Sequence, residues 1–249
     1  MRLRYAGFCE LGMKREVNQD TIGMFQQEER GLFFVSDGIG GYYAGEKASG
    51  EIKAVLSSWW HQYISMEKID FQEAVDQIKG ILADTHTQIQ KETEENGICG
   101  ATIVLLLVVG RQYALLWAGD SRCYHLEQRF LRIQSKQLTI DDTWENFMAE
   151  GYTVEEKKRH PFFGKLLRAV GVGGEFSYHL QTGEIRGKTL FTLCSDGVYK
   201  YVDPDKMDAE MKAALKKETF DDSMNYLRDM VYENHAPDNL SCVMVGVFE

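Results

Sequence analysis

The sequence has little proline, no paired cysteine motif and no long apolar run. It contains three prolines and no stretch rich in Pro, Gly or Ser, so nothing marks a linker, and we predict one compact domain over residues 1–249. The longest apolar run, residues 103–109, is far shorter than the roughly 20 residues that cross a bilayer, so we expect no membrane span. Arg2 and Arg4 interrupt the start of the chain, which argues against a signal peptide.

Basic residues are also scarce relative to acidic ones. The chain has 28 Lys and Arg against 38 Asp and Glu, a net charge of -10. Because nucleic-acid backbones are bound by clustered Lys and Arg, we expect no nucleic-acid partner. The five cysteines form no C-x-x-C pair, and four lie in or beside apolar runs, so we interpret them as buried, reduced thiols. This favours a cytoplasmic location, and we expect a monomer.

Apolar runs and helical patterns alternate in blocks along the chain. Strand-like runs occupy Leu3–Leu11, Thr21–Phe25, Gly31–Ser36, Ala101–Val109, Gln112–Ala118, Arg122–Leu126, Phe130–Ile133, Thr189–Cys194 and Leu240–Phe248. Gly110 between two of them predicts a hairpin. Helical patterns occupy Ala44–Tyr63, Phe71–Glu94, a short helix after Thr153, Asp205–Lys217 and Phe220–Asn234. Asp70 with Glu73, and Thr153 with Glu156, have the spacing of capping boxes.

This order of blocks favours an α+β fold. Residues 102–109 show almost no polar alternation, which predicts a sheet covered on both faces. We therefore predict a four-layer α-β-β-α sandwich, in which one sheet packs on another and helix pairs lie outside.

Five short segments centred on aspartate lie at the ends of these apolar runs. They are Asn18-Gln19-Asp20, Ser36-Asp37-Gly38-Ile39-Gly40-Gly41, Gly119-Asp120-Ser121-Arg122, Ser195-Asp196-Gly197 and Pro237-Asp238-Asn239. One Asp-Gly alone usually marks only a turn, but converging carboxylates suit a hard cation such as Mg²⁺ or Mn²⁺. Clustered carboxylates repel, so they need raised pKa values or bound cations. Two ions bridged by a carboxylate and a water would prepare that water for in-line attack on a phosphate ester.

The segments, in this order, resemble the motifs of the metal-dependent protein serine/threonine phosphatases of type 2C, in their compact bacterial form. The resemblance runs over essentially the whole chain. The matching segments are residues 15–20, 35–41 with 45–49, 99–102, 117–122, 138–142, 160–161, 167–171, 194–197 and 237–239.

The resemblance implies two central antiparallel sheets flanked by helix pairs and a site for two Mn or Mg ions. It implies that Asp37 bridges both ions and that the carbonyl of Gly38 binds one of them. Asp196 and Asp238 are then ligands of the other ion, and Asp20 acts at the centre through bound water.

Two further residues and the partners follow from the same resemblance. Asp120 matches the position of a third, weaker ion. Arg15 matches the phosphate-binding arginine, and a planar guanidinium can hold two phosphate oxygens at once. The implied substrates are proteins that carry phosphoserine or phosphothreonine, and a cognate Ser/Thr kinase is the implied opposing enzyme.

Three features depart from the family pattern or extend it. Ile39 stands where some members have a histidine that protonates the leaving group, and Asp142 stands in place of the second residue of an Asp-His pair. Residues 143–165 correspond to a flap beside the site. Ile39 and Asp142 leave open a second hypothesis, a phosphoprotein-binding pseudophosphatase. A third is a phosphatase specialised for one regulatory partner.

Overall fold

The computed structural model describes residues 1–40, 44–66, 70–96, 99–129 and 132–248. Its strands are β1 (Arg2–Glu10), β2 (Asp20–Gln27), β3 (Arg30–Gly40), β4 (Cys99–Ala101), β5 (Ile103–Val109), β6 (Gln112–Ala118), β7 (Arg122–Arg129), β8 (Arg132–Gln137), β9 (His179–Glu184), β10 (Thr189–Cys194) and β11 (Leu240–Phe248). Its helices are α1 (Ala44–Ile64), α2 (Phe71–Asn96), α3 (Trp144–Phe147), α4 (Val154–Arg159), α5 (Asp196–Tyr199), α6 (Pro204–Lys217) and α7 (Asp221–Glu233).

The strands form two antiparallel sheets. One sheet has the order β1-β11-β10-β7-β8, and the other has the order β2-β3-β5-β6-β9, with β4 paired to the end of β3. The predicted hairpin joins β5 to β6, where Val109 pairs with Gln112 and Gly110 has a φ of 55°. A positive φ is accessible to glycine at little cost, which explains its use in this turn.

Three apolar clusters define four layers. A central cluster, which includes Phe33, Leu106 and Val245, lies between the two sheets. A second cluster packs α1 and α2 against the outer face of the sheet that contains β5. A third packs α6 and α7 against the outer face of the sheet that contains β10. The α-β-β-α sandwich is confirmed, and burial on both faces explains why β5 lacks polar alternation.

The helix starts agree with the predicted caps in part. Thr153 and Glu156 form a reciprocal capping box at the start of α4. At the start of α2, Asp70 accepts a hydrogen bond from the backbone N–H of Gln72 at 2.8 Å, while the Glu73 carboxylate accepts one from the side chain of Gln77 at 3.3 Å. Asp70 is thus a cap of the Asx type.

Some predicted strands differ from the structure. The prediction of one strand over residues 101–109 is wrong, because the chain is interrupted at Thr102 between β4 and β5. Phe130 and Leu131 of the predicted run 130–133 lie outside the described residues, and β8 continues to Gln137. β9 was not predicted from the sequence. No helix in the described part of the chain combines the length and the apolar character needed to span a membrane.

Candidate active site

A polar cleft of about 280 Å³ lies at one end of the sandwich. The antiparallel pairings bring the start of β2, the end of β3, the end of β6, the end of β10 and the start of β11 to this same end. Six of the predicted site residues line the cleft, and they are Arg15, Asp37, Gly38, Asp120, Asp196 and Asp238. The seventh, Asp20, is buried and pairs directly with Asp37 across β2 and β3. Gly41 lies outside the described residues.

Thr102 holds Asp37 in place. The backbone N–H of Asp37 donates to the Thr102 hydroxyl at 3.0 Å, and the backbone N–H of Thr102 donates to the carbonyl of Asp37 at 2.8 Å. The same hydroxyl lies 2.7 Å from the Ser121 hydroxyl, next to Asp120. Thr102, at the break between β4 and β5, therefore connects the segments of Asp37 and Asp120, which are distant in sequence.

Ser195 connects the two sheets beneath the cleft. Its hydroxyl donates to Asp20 Oδ2 at 2.8 Å and accepts from the backbone N–H of Ser241 at 3.1 Å. Ser195 and Ser241 are both fully buried. The other carboxylate oxygen of Asp20, Oδ1, is buried and has no hydrogen-bond partner among the described residues.

Asn239 fixes the loop that precedes β11. Its side-chain oxygen accepts from the backbone N–H of Gln19 at 2.9 Å, and its amide nitrogen donates to the carbonyls of Leu11 and Val17. A Cβ atom at Gly197 would lie 1.8 Å from the Asn239 carbonyl oxygen, so only glycine permits this approach of α5 to the loop.

Two cationic side chains pair with two of the carboxylates. Arg15 Nε lies 2.7 Å from Asp238 Oδ1, and Arg15 Nη2 donates to Asp238 Oδ2 at 2.8 Å. Lys200 Nζ lies 2.6 Å from Asp196 Oδ2. Arg15 and Lys200 are the cationic residues among those that line the described cleft, and each one is bound to a different carboxylate.

The remaining carboxylates have raised pKa values. Burial, with a smaller contribution from the charge of Asp196, raises the pKa of Asp20 to about 6. Burial and the charge of Asp196 also raise the pKa of Asp120 to about 6, while Lys200 opposes the shift. For Asp37, burial followed by repulsion from Asp20 and Asp196 raises the pKa well above its ordinary value. The site therefore carries more negative charge than its own cations offset.

The donor set fits Mg²⁺ or Mn²⁺, although its arrangement differs from a closed coordination shell. No three Asp, Glu, His or Cys side chains in the described ranges surround one point as metal ligands would. Arg15 and Lys200 account for part of this, because each holds a carboxylate that the sequence analysis assigned to an ion. Oxygen ligands, raised pKa values and the unpartnered Asp20 Oδ1 all favour a hard divalent cation.

The predicted flap reaches the cleft. It contains α3 and α4, and a bridge between Thr143 and Leu166 closes it at its base. Gly164 and Leu166 line the cleft together with Ile39. His160 stacks on Trp144 with ring centroids 3.9 Å apart, which indicates a packing role for His160 within the flap.

Asp142 links the base of the flap to the acidic loop, the segment 119–122 that contains Asp120. It is fully buried, and Oδ1 accepts from Arg168 Nη1 at 2.6 Å and lies 2.9 Å from His179 Nε2. Its Oδ2 accepts from the backbone N–H of Gly119 at 3.1 Å, directly before Asp120. The imidazole of His179 stacks on Trp117 with centroids 4.8 Å apart. Asp142, which stands in place of the second residue of the family's Asp-His pair, thus interacts with the imidazole of His179.

Sequence reasoning missed three residues that organise the site. Lys200 lies four residues after Asp196, a spacing that places side chains on one face of a helix, and this spacing could have identified it. Thr102 was assigned to the interior of a strand. His179 lies in β9, which the sequence analysis did not predict, so no pattern pointed to it.

Comparisons with known proteins identify the family and the fold. A family model described as protein phosphatase 2C matches residues 13–244. The serine/threonine protein phosphatase PstP of Mycobacterium tuberculosis is 29% identical over 99% of this chain and 45% of its own length, so the chain spans less than half of that relative. The serine/threonine phosphatase stp of Listeria monocytogenes is 26% identical over 94% of this chain and 92% of its own length.

Solved structures show the same fold. Serine/threonine phosphatase Stp1 from Staphylococcus aureus has a TM-score of 0.81 at 26% identity, covering 100% of this chain and 96% of that one. PppA of Pseudomonas aeruginosa, described as a key regulatory component of T6SS, has a TM-score of 0.79 at 26% identity, covering 98% and 97%. The family match, which spans most of the chain, confirms the resemblance. The chain belongs to the protein phosphatase 2C family.

Proposed function

We propose that this protein hydrolyses phosphoserine and phosphothreonine in proteins, with two Mg or Mn ions as cofactors. The observation that carries the proposal is that four aspartates from distant segments line one cleft with Arg15, while a fifth, Asp20, is buried and pairs with Asp37. The relatives named as serine/threonine phosphatases support the substrate class.

The carboxylates would hold the ions in the arrangement expected from the sequence. Asp37, the carbonyl of Gly38, Asp196 and Asp238 would hold the two ions, with the buried carboxylate of Asp20 next to Asp37. When bound, the ions would supply positive charge that offsets these carboxylates, polarise the phosphate and lower the pKa of the attacking water.

Arg15 binds and orients the phosphate group. Two of its N–H donors are engaged by Asp238, and a guanidinium has five, so others are available to phosphate oxygens. Its side chain is about half exposed, at 48%, at the mouth of the cleft. In this position its charge offsets the negative charge that develops on the phosphoryl oxygens in the transition state.

The leaving group receives its proton from solvent in this proposal. Ile39 lines the cleft, and its side chain has no proton to donate. Because the cleft is open and lined mainly by polar groups, water reaches the serine or threonine oxygen as its bond to phosphorus breaks.

Phosphorylated proteins and a cognate Ser/Thr kinase are the partners of this activity. We propose that the flap contacts the substrate, because Gly164 and Leu166 lie at the rim of the cleft. We further propose that residues 1–249 act as one monomeric domain in the cytoplasm, where the five free cysteines stay reduced.

The test is hydrolysis of a phosphothreonine peptide and of a small aryl phosphate by the purified protein, with Mn²⁺, with Mg²⁺ and with chelator. We expect turnover of both substrates that the chelator abolishes and that either ion restores. A folded protein that binds Mn²⁺ but hydrolyses neither substrate contradicts the proposal and favours the pseudophosphatase. A phosphotyrosine peptide in the same assay tests the substrate class.

A further inference from the structure

Lys200 is a cation that the fold itself places among the carboxylates of the cleft. Its Nζ lies 2.6 Å from Asp196 Oδ2, and it lines the cleft with Asp37 and Asp120. The position is fixed by α5, because the backbone N–H of Lys200 donates to the carbonyl of Asp196 at 3.1 Å. Buried Gly197 and Val198 anchor this turn in the protein interior.

The ammonium of Lys200 lies among several carboxylates of the cleft. It is at hydrogen-bond distance from Asp196 Oδ2, and Asp37 and Asp120 line the same cleft. A cation held at this place offsets negative charge from more than one carboxylate.

No neighbouring arginine substitutes for Lys200 in this role. Arg122 follows Asp120 by two residues, but its guanidinium binds both oxygens of Asp141, with Nη2 2.7 Å from Oδ2. It also stacks over Tyr199 at 3.6 Å from the ring centroid. Arg15 is bound to Asp238. Among the residues that line the described cleft, Lys200 is thus the cation available to Asp120 and Asp196.

We propose that the Lys200 ammonium takes the place of a divalent ion between Asp120 and Asp196, so that the protein binds two metal ions and no third. The inference rests on the proposed function for the two other ions. A tethered ammonium already at hydrogen-bond distance from Asp196 repels a further cation and occupies an oxygen that this cation needs. Lys200 is therefore a residue that sets the number of metal ions.

The test counts bound ions instead of measuring activity. Metal-stripped wild type, Lys200→Met and Lys212→Met are titrated with Mn²⁺, and free Mn²⁺ is followed by electron paramagnetic resonance beside calorimetry. Lys212 forms the same i,i+4 pair with an aspartate, Asp208, at 2.5 Å on α6, so its variant is a matched control. Circular dichroism melts verify that each variant folds.

We expect two Mn²⁺ per chain for wild type and Lys212→Met, and a third for Lys200→Met. Adding Asp120→Asn to Lys200→Met should remove that third ion. Three ions bound by wild type, or an unchanged count in folded Lys200→Met, overturns the inference. Its failure is distinct from failure of the proposed function. A third ion gained without any phosphatase activity contradicts only the function, whereas metal-dependent turnover with an unchanged ion count contradicts only the role of Lys200.

Discussion

At the scale of single residues, buried hydroxyl groups decide where the carboxylates of the cleft stand. Thr102 is 1% exposed, and its hydroxyl accepts from the backbone N–H of Asp37 and contacts the Ser121 hydroxyl. Valine has nearly the same shape but no hydroxyl. We therefore expect Thr102→Val to leave the N–H of Asp37 without its partner, at a cost of about 1–3 kcal/mol in the free energy of unfolding.

Urea unfolding with chelator present measures this effect without bound metal. Thr102→Ser keeps the hydroxyl, and it should recover most of the lost stability if the hydrogen bonds are responsible. Destabilisation by Thr102→Ser as large as that by Thr102→Val would contradict this account, since serine keeps the hydroxyl.

Arg15 offers a second prediction at this scale. Its guanidinium is bidentate to Asp238, and we propose that it also binds phosphate. Arg15→Lys keeps one positive charge but loses the planar fork. We expect kcat/KM for a phosphothreonine peptide to fall by about 10-fold in Arg15→Lys and by about 100-fold in Arg15→Ala, from the usual strength of charged hydrogen bonds.

Steady-state kinetics at saturating Mn²⁺ would check the order of these two variants. An Arg15→Ala variant with wild-type kcat/KM would exclude the arginine from phosphate binding. Exposed Arg186 pairs with Glu184 away from the cleft, so Arg186→Ala is the control that should leave the kinetics unchanged.

At the scale of elements, the buried Asp142 connects three parts of the chain. It binds Gly119 before the acidic loop, Arg168 after the flap, and His179 in β9. Asp142→Asn removes the charge that Arg168 faces while keeping the side-chain shape. Arg168 is one-third exposed and therefore partly solvated. We therefore expect Asp142→Asn to lower the free energy of unfolding by about 2 kcal/mol, which is less than for a fully buried pair.

Thermal unfolding and limited proteolysis test this link. We expect earlier cleavage within residues 143–165 in Asp142→Asn, since one anchor of the flap is weakened. Glu184→Gln removes an exposed ion pair with Arg186 and should change stability by less than about 0.5 kcal/mol. Unchanged proteolysis of Asp142→Asn would show that the flap is held by its other contacts.

The strands that could be predicted best from the sequence are those whose run of apolar residues stops abruptly at the strand boundary. β6, β10 and β11 have the predicted bounds, and the segments around Asp120, Asp196 and Asp238 lie at their ends. β3 instead continues beyond its predicted end at Ser36, through Asp37 to Gly40. β9 escaped prediction because its side chains alternate between half-buried and exposed and its sequence has few β-branched residues. It becomes a strand through edge pairing with β6, which is a tertiary effect.

At the scale of the whole molecule, two sheets converge on a charge cluster that the folded chain only partly neutralises. Sequence order could predict that Asp20, Asp37, Asp120, Asp196 and Asp238 gather, because their strands end together. It could not predict that Arg15 pairs with Asp238, since this ion pair joins segments from opposite ends of the chain. The pair of Lys200 with Asp196 is local, and its i,i+4 spacing was available in the sequence.

This cluster predicts a pH dependence of stability without metal. Burial raises the pKa of Asp120 to about 6, whereas in the unfolded chain the pKa is about 3.9. The folded state therefore binds more protons between these values, so the contribution of Asp120 to stability falls as pH rises from about 4 to 6. As pH rises over this range, the free energy of unfolding of Asp120→Asn should increase by up to about 3 kcal/mol relative to that of wild type.

Chemical unfolding in chelator at pH 4, 5, 6 and 7 measures that difference. Exposed Asp84 on α2 provides the control, because Asp84→Asn should keep a constant offset from wild type at every pH. A constant offset for Asp120→Asn as well would contradict the raised pKa. Added Mn²⁺ should stabilise wild type more at pH 7 than at pH 5, since the ion competes with protons for the carboxylates.

The most direct test of the central claim is the effect of Asp37→Asn on Mn²⁺-dependent hydrolysis of a phosphothreonine peptide, with Asp84→Asn as the matched control. Asp37 pairs with Asp20 across β2 and β3 and lines the cleft with Asp120, Asp196 and Asp238. We predict that Asp37→Asn folds, binds Mn²⁺ more weakly and loses about 100-fold or more in kcat/KM, while Asp84→Asn matches wild type. Wild-type turnover and wild-type Mn²⁺ affinity in Asp37→Asn would contradict the account.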